Sequence, residues 1–390
     1  MAGLVVRPRA RILHGHDWVY SSEVLKTFGA PADGDVISLK DGRDQLLGTA
    51  IYNSKSQIVA RRLSRRRQDL DVDFFQRRIS QAAEWRERAG CNLELCRLVW
   101  SEADGLPGII IDRYADVAVL QTLACAMDLH KQMIAETLVA TIPGIKHVVE
   151  RNDAPVRTLE GLPLATGMLV GEDPGTRLVK LGKIDFEVDF LGGQKTGLYL
   201  DQAENYAIVA SRAAGRNVLD CFSNQGGFAL ACAAEGAQSV TAVESGAGSL
   251  ERLAANATRN QLNINAVGED VFRFLSEAVR REEKYDLIIL DPPSFTRAKG
   301  RINDALRGYR DLHMRAARIL APGGLLATFS CSHHVSSTEF ESAVAEGLTD
   351  GRRTVRVIDR LTQSRDHPVP LHLPETFYLK GLLLESMPGR

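Results

Sequence analysis

From about residue 196 onward, the chain alternates short apolar segments with longer segments of helical spacing. The segments 217–221, 239–244, 287–290 and 325–330 predict strands, and the segments 227–235, 247–261 and 305–320 predict helices. Strands that alternate with helices form a parallel sheet that is covered on both faces. The pattern therefore predicts an α/β fold built on a mostly parallel sheet.

The first half of the chain predicts two smaller parts. Residues 1–70 show short strands separated by turns such as Asp33-Gly34 and Asp41-Gly42, which is typical of a small β-barrel. A helical spacing begins after Asp71 or Asp73, and short strands then continue to about residue 190. With 390 residues, of which 44% are hydrophobic, the chain is long enough for three parts. We expect them over residues 1–70, 71–190 (a linker helix and an α+β domain) and 191–390.

Basic residues concentrate near the N-terminus, although the whole chain has a net charge of −1. Residues 1–70 contain twelve lysines and arginines against seven acidic residues. Six of these bases fall within thirteen positions that contain no acid: Lys55, Arg61, Arg62, Arg65, Arg66 and Arg67. The five arginines of this run can bind nucleic-acid phosphates, or they can form a solvated edge strand and linker.

The composition favours a cytoplasmic protein. The six cysteines include no Cys-x-x-Cys pair, so neither a disulfide framework nor a zinc site is expected. No stretch approaches the length needed to cross a bilayer, and the first twenty residues lack the apolar core of a signal peptide. We therefore expect no metal and no membrane partner.

A glycine-containing turn follows the first strand of the α/β part. Ser223-Asn224-Gln225 leads from this strand to the adjacent glycines Gly226 and Gly227, where a helix begins. Such a turn lets the backbone approach a ligand at the carboxyl end of the strand. A dinucleotide fingerprint needs three glycines in the pattern G-x-G-x-x-G. Two adjacent glycines instead favour a nucleoside ligand without phosphates, such as S-adenosylmethionine.

Acidic residues stand at successive strands of this part. Asp220 belongs to the first strand, and Glu244 ends the second, where a carboxylate can accept hydrogen bonds from both ribose hydroxyls. Asp270 follows a weak third strand and can accept a hydrogen bond from an adenine amino group. Each acid alone is more readily a helix cap. Three of them at one edge of a sheet favour a cofactor site.

A buried apolar strand ends abruptly in Asp291-Pro292-Pro293. The prolines end the strand, so Asp291 should project into the cleft where a methyl acceptor binds. Cys331 stands at the end of the next strand. A single cysteine is most often a buried structural residue. The two parallel strands should nevertheless be neighbours, which places Cys331 close to Asp291.

This pair suits methylation of a pyrimidine at carbon 5. That carbon is too poor a nucleophile to attack a sulfonium methyl group, but addition of a Cys331 thiolate at C6 turns it into an enamine carbon. Asp291 can hydrogen-bond N3 and the exocyclic amine of cytosine. A base must later remove the C5 proton. His333 or His334 could do so, although exposed turn histidines are the commoner explanation.

With these residues in place, the chain resembles the bacterial 23S ribosomal RNA cytosine-C5 methyltransferases that carry an N-terminal PUA domain. The resemblance spans nearly the whole length. It rests on His16-Asp17-Trp18-Val19-Tyr20-Ser21, Asp104-Gly105-Leu106-Pro107-Gly108, Asp112-Arg113-Tyr114, Glu150-Arg151-Asn152-Asp153, Lys195-Thr196-Gly197-Leu198-Tyr199-Leu200-Asp201-Gln202, Asp291-Pro292-Pro293-Ser294-Phe295, Ser330-Cys331-Ser332, Asp366-His367-Pro368 and Tyr378-Leu379-Lys380.

The resemblance implies a class I Rossmann-like methyltransferase domain with a seven-stranded, mostly parallel sheet, preceded by a PUA-like RNA-binding barrel and a small α+β domain. It implies S-adenosylmethionine as cofactor, Cys331 as nucleophile, and 23S ribosomal RNA, free or in a pre-ribosomal particle, as partner. It also implies that residues 195–202 cover the cofactor. The full predicted cofactor set is Lys195, Tyr199, Gln202, Asp220, Phe222, Ser223, Gly226, Gly227, Glu244 and Asp270. The oligomeric state stays open, with a homodimer as one form.

The sequence departs from this family at two places. The turn Ser223-Asn224-Gln225 replaces the Tyr-Thr of many relatives but keeps both glycines, and Ser294 stands where many relatives have lysine. Pro293 and Ser294 also occupy the place where other 5-methylcytosine RNA enzymes carry a second cysteine. Two other functions stay open. One is a guanine methyltransferase acting at N7 or N2, which needs Asp291 but no thiol, and the other is a non-catalytic RNA-binding assembly factor.

Overall fold

The structure is a computed structural model that describes residues 2–192, 197–296 and 299–387. The chain divides into two compact units. The first comprises Met1–Val179, Glu187–Leu200 and Arg365–Thr376, and the second comprises Lys180–Phe186, Asp201–Ser364 and Phe377–Arg390. The sequence pattern gave no sign that Arg365–Thr376 returns to the first unit.

The strands of the described residues are β1 (Gly3–Val6), β2 (Trp18–Tyr20), β3 (Val24–Phe28), β4 (Val36–Lys40), β5 (Leu46–Tyr52), β6 (Ile58–Ser64), β7 (Leu95–Trp100), β8 (Ile109–Tyr114), β9 (Val117–Thr122), β10 (His147–Asn152), β11 (Ala165–Val170), β12 (Thr176–Leu181), β13 (Ile184–Asp189), β14 (Asn217–Cys221), β15 (Ser239–Val243), β16 (Asn265–Val267), β17 (Tyr285–Leu290), β18 (Leu320–Ser330), β19 (Val355–Thr362) and β20 (Lys380–Ser386). The α-helices are α1 (Val72–Arg88), α2 (Cys125–Leu129), α3 (Lys131–Thr141), α4 (Ala203–Ala210), α5 (Gly227–Ala234), α6 (Ala247–Arg259), α7 (Val271–Arg280), α8 (Ile302–Ile319) and α9 (Ser337–Asp350). None of these helices is both long enough and apolar enough to cross a membrane.

The first unit contains a six-stranded sheet in the order β2-β6-β5-β4-β1-β3 and a five-stranded sheet in the order β11-β10-β9-β8-β7. Burial alternates along β4, where Ile37 and Leu39 point into the core, because successive side chains of a strand face opposite sides. Helices α1 and α3 contact each other and share one hydrophobic core with the five-stranded sheet. A hairpin of β12 and β13 is separate from both sheets, and its central residues, Lys180–Phe186, belong to the second unit.

Helix α1 begins where the sequence predicts it. The Asp71 carboxylate accepts a hydrogen bond from the Phe74 backbone N–H at 2.8 Å, which satisfies a donor that the first helical turn leaves unpaired. Phe74, Phe75 and Ile79 are fully buried on one face of the helix. Asp71 is therefore the cap, and Asp73 lies in the first turn.

The second unit is built on a seven-stranded sheet in the order β16-β15-β14-β17-β18-β20-β19. The five strands from β16 to β18 run parallel, and β20 runs antiparallel to both of its neighbours, β18 and β19. Successive residues of β17 alternate between two cores: Leu287 and Ile289 face one, and Ile288 and Leu290 face the other. The first core includes residues of α4, α5 and α6, and the second includes residues of α7, α8 and α9. The predicted doubly covered α/β sheet is confirmed.

Candidate active site

The turn after β14 has an unusual backbone. Phe222, Asn224 and Gly226 all adopt positive φ values of 64°, 49° and 93°. A positive φ is unfavourable for residues other than glycine, and residues that nevertheless adopt it concentrate at functional sites. Ser223 lies between them, and its backbone N–H donates to the Val243 carbonyl at 3.1 Å. The turn is thus fixed against the end of β15.

Close contact explains why a glycine follows this turn. A Cβ placed on Gly227 would lie 2.4 Å from Cζ of Tyr206, a residue of α4, so the helix α5 can approach α4 only with glycine here. The ring of Phe222 is half-buried and packs against the core on the α7 face. The predicted turn residues therefore lie together at the carboxyl end of β14.

Asp220 is a buried carboxylate with half of its hydrogen-bonding capacity unused. Its Oδ2 accepts from the Ala229 backbone N–H at 3.0 Å, whereas Oδ1 has no hydrogen-bond partner among the described residues. Burial, and then the negative charge of Asp291, raise the pKa of Asp220 well above its usual range. An unpaired buried acceptor is costly, which indicates that a donor or a cation from a ligand completes it.

Glu244 follows β15 and joins its own loop to the turn after β14. Its Oε2 accepts from the Asn224 backbone N–H at 2.9 Å, and its Oε1 accepts from the Gly246 N–H at 2.7 Å. Asp270 is exposed and caps α7 by accepting from the Arg273 N–H at 3.0 Å. Both acids make the local bonds expected of caps, and each carboxylate keeps lone pairs for a ligand.

The acceptor motif and the cysteine lie at the same edge of the sheet. Strands β17 and β18 are parallel neighbours, with Leu290 opposite Thr328. The Cys331 thiol therefore reaches the loop after β17, where its Sγ lies 4.0 Å from the Pro292 carbonyl oxygen. The predicted proximity of Cys331 to the Asp291-Pro292-Pro293 segment is observed.

Gln202 contacts the acceptor carboxylate. Its Nε2 donates to Oδ2 of Asp291 at 3.0 Å, and its Oε1 accepts from Nδ2 of Asn205 at 2.7 Å. Asn205 in turn donates to the Thr362 carbonyl at 2.9 Å. The amide of Gln202 is buried and fixed from both ends, so it positions Asp291. Sequence reasoning assigned Gln202 to the cofactor and missed this contact.

A hydroxyl network joins the loops after β17 and β18. The buried Tyr309 hydroxyl donates to Oγ of Ser330 at 2.8 Å and lies 3.1 Å from Oγ of Ser332. Ser332 Oγ lies 3.2 Å from Oγ of Ser294, the residue that departs from the family pattern. Burial raises the pKa of Tyr309 to about 12, so the phenol stays protonated and can donate. The network holds both sides of the Cys331 loop to the acceptor loop.

Lys380, at the start of β20, is a buried cation beside the cysteine. Its Nζ donates to the carbonyls of Ser332 at 2.8 Å and Val335 at 3.0 Å. Burial lowers the pKa of Lys380, and attraction to a Cys331 thiolate acts in the opposite direction. A cation near a thiol favours the thiolate form. The sequence analysis named Lys380 only within the motif Tyr378-Leu379-Lys380 and assigned it no role.

His333 belongs to the loop after Cys331, and its ring centroid lies 5.6 Å from that of Tyr378. Much of its surface is exposed. Partial desolvation, followed by the charges of Lys380 and His334, lowers the pKa of His333. The imidazole is therefore neutral at neutral pH and can accept a proton.

Two further predicted cofactor residues are Lys195 and Tyr199. Lys195 falls outside the described residues. Tyr199 is half-buried and belongs to the Glu187–Leu200 segment of the first unit. Their cofactor roles stay predictions.

The structure corrects the prediction for two of the five arginines. The guanidinium of Arg61 contacts Glu102 at 2.7 Å and Glu160 at 3.2 Å, and that of Arg62 contacts Asp17 at 2.6 Å. Both side chains are largely buried and bound by internal carboxylates, so they are not surface phosphate ligands. The remaining three, Arg65, Arg66 and Arg67, are exposed.

The residues around the β14 turn fit S-adenosylmethionine. That molecule carries a sulfonium and an ammonium group, which suit the unpaired Oδ1 of buried Asp220. Its ribose offers two hydroxyl donors, which suit the free lone pairs of Glu244. Its lack of phosphates agrees with a turn that presents carboxylates at the ligand edge of the sheet.

Comparison with known proteins agrees with this geometry. A family model described as S-adenosylmethionine-dependent methyltransferase matches residues 109–367, and one described as PUA-like domain matches residues 7–65. Proteins named ribosomal RNA large subunit methyltransferase I, from Tolumonas auensis and Pseudoalteromonas atlantica, are 38% and 40% identical to this chain, with 96% of both chains covered in each case. A Streptococcus mutans S-adenosylmethionine-dependent methyltransferase shares the fold, with a TM-score of 0.84 at 23% identity over 99% of this chain and 100% of that one.

Proposed function

Because the chain belongs to the family of S-adenosylmethionine-dependent methyltransferases that carry a PUA-like domain, we propose that it methylates carbon 5 of a cytosine in large-subunit ribosomal RNA. The relatives' name supports the class of RNA, since they are named for that subunit. The position of Cys331 supports the choice of base and atom.

One observation carries the choice of a pyrimidine C5: the Cys331 thiol lies at the acceptor loop, 4.0 Å from the Pro292 carbonyl. Methylation of guanine at N7 or N2 uses a ring or amino nitrogen that is already nucleophilic, so it needs no thiol. A pyrimidine C5 does need one, because it gains nucleophilic character only when a nucleophile adds at C6. Lys380 favours the thiolate form that such an addition requires.

The chain's residues divide the proposed reaction among themselves. Asp291, held by Gln202, accepts from the cytosine amino group, and in its protonated form its carboxyl O–H donates to N3, where negative charge develops. The Cys331 thiolate forms a bond to C6, and the electron pair of the C5–C6 double bond becomes available at C5. When bound, S-adenosylmethionine supplies the methyl group that C5 accepts. A base then takes the C5 proton, the double bond re-forms, and the Sγ–C6 bond breaks. Neutral His333 is one candidate for that base, and His334 is the other.

The RNA contacts of the proposal fall on the exposed arginines of the run, Arg65, Arg66 and Arg67. Exposed guanidinium groups gain from phosphate contact through counterion release. The substrate is 23S RNA, free or in a pre-ribosomal particle, and the enzyme acts in the cytoplasm as a monomer or homodimer.

Replacement of the cysteine tests the covalent route. We expect Cys331→Ala to reduce methyl transfer to background while Cys125→Ala, a half-buried cysteine of the first unit, retains it. RNA containing 5-fluorocytidine should trap the wild-type enzyme as a denaturation-resistant adduct, because C5 then carries no removable proton, and Cys331→Ala should form none.

Methyl transfer by Cys331→Ala at the wild-type rate would instead support a guanine methyltransferase. Calorimetry separates the non-catalytic alternative, because an assembly factor with a vestigial site would show no heat of binding to S-adenosylmethionine.

A further inference from the structure

A surface pocket of about 500 Å³ lies in the first unit, between α1 and the turn after β7. This volume is in the range of small-ligand sites, roughly 300–1,000 Å³. Its lining includes Arg78, Gln81, Trp85, Arg88 and Gly105. Nothing in the proposed methyl transfer uses this pocket.

Arg78 is the cation in this lining that has no ion pair among the described residues, and its guanidinium lies 5.8 Å from the ring centroid of Phe74. Arg88 lies 3.9 Å from the Glu84 carboxylate, and the lining residue Asp104 is bound by the buried Arg86 at 2.6 Å. For Arg78, the structure shows no ion pair within the described residues. Its Nη2 donates to the Leu63 carbonyl at 3.3 Å, and its buried Nε has no hydrogen-bond partner in the described part of the chain.

The surroundings of Arg78 favour an anion. Its guanidinium lies against Gly105, where even a Cβ would approach Cζ to 3.0 Å. Burial and then the charge of Arg77 lower the pKa of Arg78, whereas the charge of Asp17, which Arg62 binds, acts in the opposite direction. A guanidinium stays protonated even when its surroundings lower its pKa in this way. A ligand phosphate would therefore relieve a charge that the protein leaves half-buried.

Trp85 and Gln81 add groups that recognise a base. Trp85 is half-buried in the pocket lining, and the Arg86 guanidinium lies 5.3 Å from its ring centroid. Gln81 is exposed and offers both a donor and an acceptor. An aromatic ring beside an arginine and an amide is the combination that holds unpaired RNA bases.

The pocket is also continuous with the exposed arginine run. Leu63 and Gln68 flank Arg65–Arg67, and they contact successive residues of α1: Leu63 accepts from Arg78, and Oε1 of Gln68 accepts from Arg77 at 2.8 Å. The run therefore leaves β6 next to the helix that forms the pocket. An RNA strand bound along Arg65–Arg67 would therefore pass the opening of the pocket.

We propose that this pocket binds one unpaired nucleotide of the RNA substrate, with a phosphate at Arg78 and the base against Trp85. The inference rests on the proposed function in taking RNA as the ligand, and it adds a contact outside the methylation site.

Binding of a short fluorescent single-stranded RNA of mixed sequence to the full-length protein, followed by anisotropy, tests the pocket. Loss of a stacked base costs about 1–3 kcal/mol, so Trp85→Leu should weaken binding about 5- to 150-fold. Arg78→Gln should weaken it and lower the slope of log affinity against log salt by about 0.7, the value for one phosphate contact on a single strand. The control Arg43→Gln removes an exposed arginine of the same unit and should bind as the wild type does.

Thermal melting and S-adenosylhomocysteine binding confirm that each variant is folded. If the wild type binds the RNA and both Arg78→Gln and Trp85→Leu bind it equally well with an unchanged salt slope, the pocket assignment is overturned while the proposed function stands. If the wild type does not bind this RNA, the pocket assignment is overturned, and the Cys331 adduct experiment decides the proposed function separately.

Discussion

Glu244→Gln tests the assignment of the cofactor ribose to this carboxylate. Both oxygens of Glu244 already accept a backbone N–H, from Asn224 at 2.9 Å and from Gly246 at 2.7 Å. A carboxylate has about four lone-pair sites, so about two remain for the two ribose hydroxyls. In the glutamine variant one oxygen becomes an NH₂ group, which faces a backbone donor and can accept nothing. The remaining oxygen must serve both the loop and the ribose.

The variant should therefore lose at least one hydrogen bond to a charged acceptor. Such bonds contribute about 1.5–3 kcal/mol, which corresponds to an increase in Kd of about 10- to 150-fold. The Asn224 contact also supports a left-handed backbone residue in the β14 turn, so a small fall in the melting temperature of the free protein should accompany the loss.

Isothermal titration with S-adenosylhomocysteine measures the effect, since that ligand keeps the ribose and cannot react. Glu251→Gln is the matched control, because Glu251 is exposed on α6 and the change removes the same charge. A Kd for Glu244→Gln within twofold of the wild-type value, in a folded protein, would show that Glu244 closes the loop without binding the ribose.

Two further predictions concern buried charges of the site. The pKa of Asp220 is higher in the folded protein than in the unfolded chain, so its contribution to stability is fully present below the pKa of the unfolded chain and is lost as pH rises through the folded pKa. Asp220→Asn should therefore raise the melting temperature of the free protein at neutral pH more than at acid pH. The same variant should weaken S-adenosylhomocysteine binding in titration calorimetry. A fall in melting temperature that is the same at both pH values would contradict this. Lys380→Met removes the cation beside Cys331, so the acidic limb of the pH–rate profile should move to higher pH. Lys380→Arg keeps the charge and should restore the wild-type profile. If the acidic limb of the methionine variant does not move, the electrostatic role of Lys380 is refuted.

The sheet and its ligand edge could be predicted because the necessary information is local. Residues Leu287–Leu290 of β17 are a continuous apolar run, as a strand covered on both faces requires, and Asp291-Pro292 marks its end. Parallel strands put their carboxyl ends at one edge, so Asp291 and Cys331 had to approach each other once β17 and β18 were taken as neighbours. Local spacing and one topological rule were sufficient.

The contacts that complete the site are set by partners far away in sequence. Gln202 and Asp291 are 89 residues apart, and the sequence around either residue does not indicate that they form a hydrogen bond. The arginine run shows the same principle in the opposite direction. Arg61 and Arg65 look alike in sequence, yet Glu102 and Glu160, 41 and 99 residues beyond Arg61, neutralise it in the interior and leave Arg65 exposed. A run of like charge therefore indicates that a surface can bind phosphate. Which arginines of the run remain available for phosphate depends on the carboxylates that the fold brings to them. An arginine is buried only with such a carboxylate partner, because burial of an unpaired cation would be too costly.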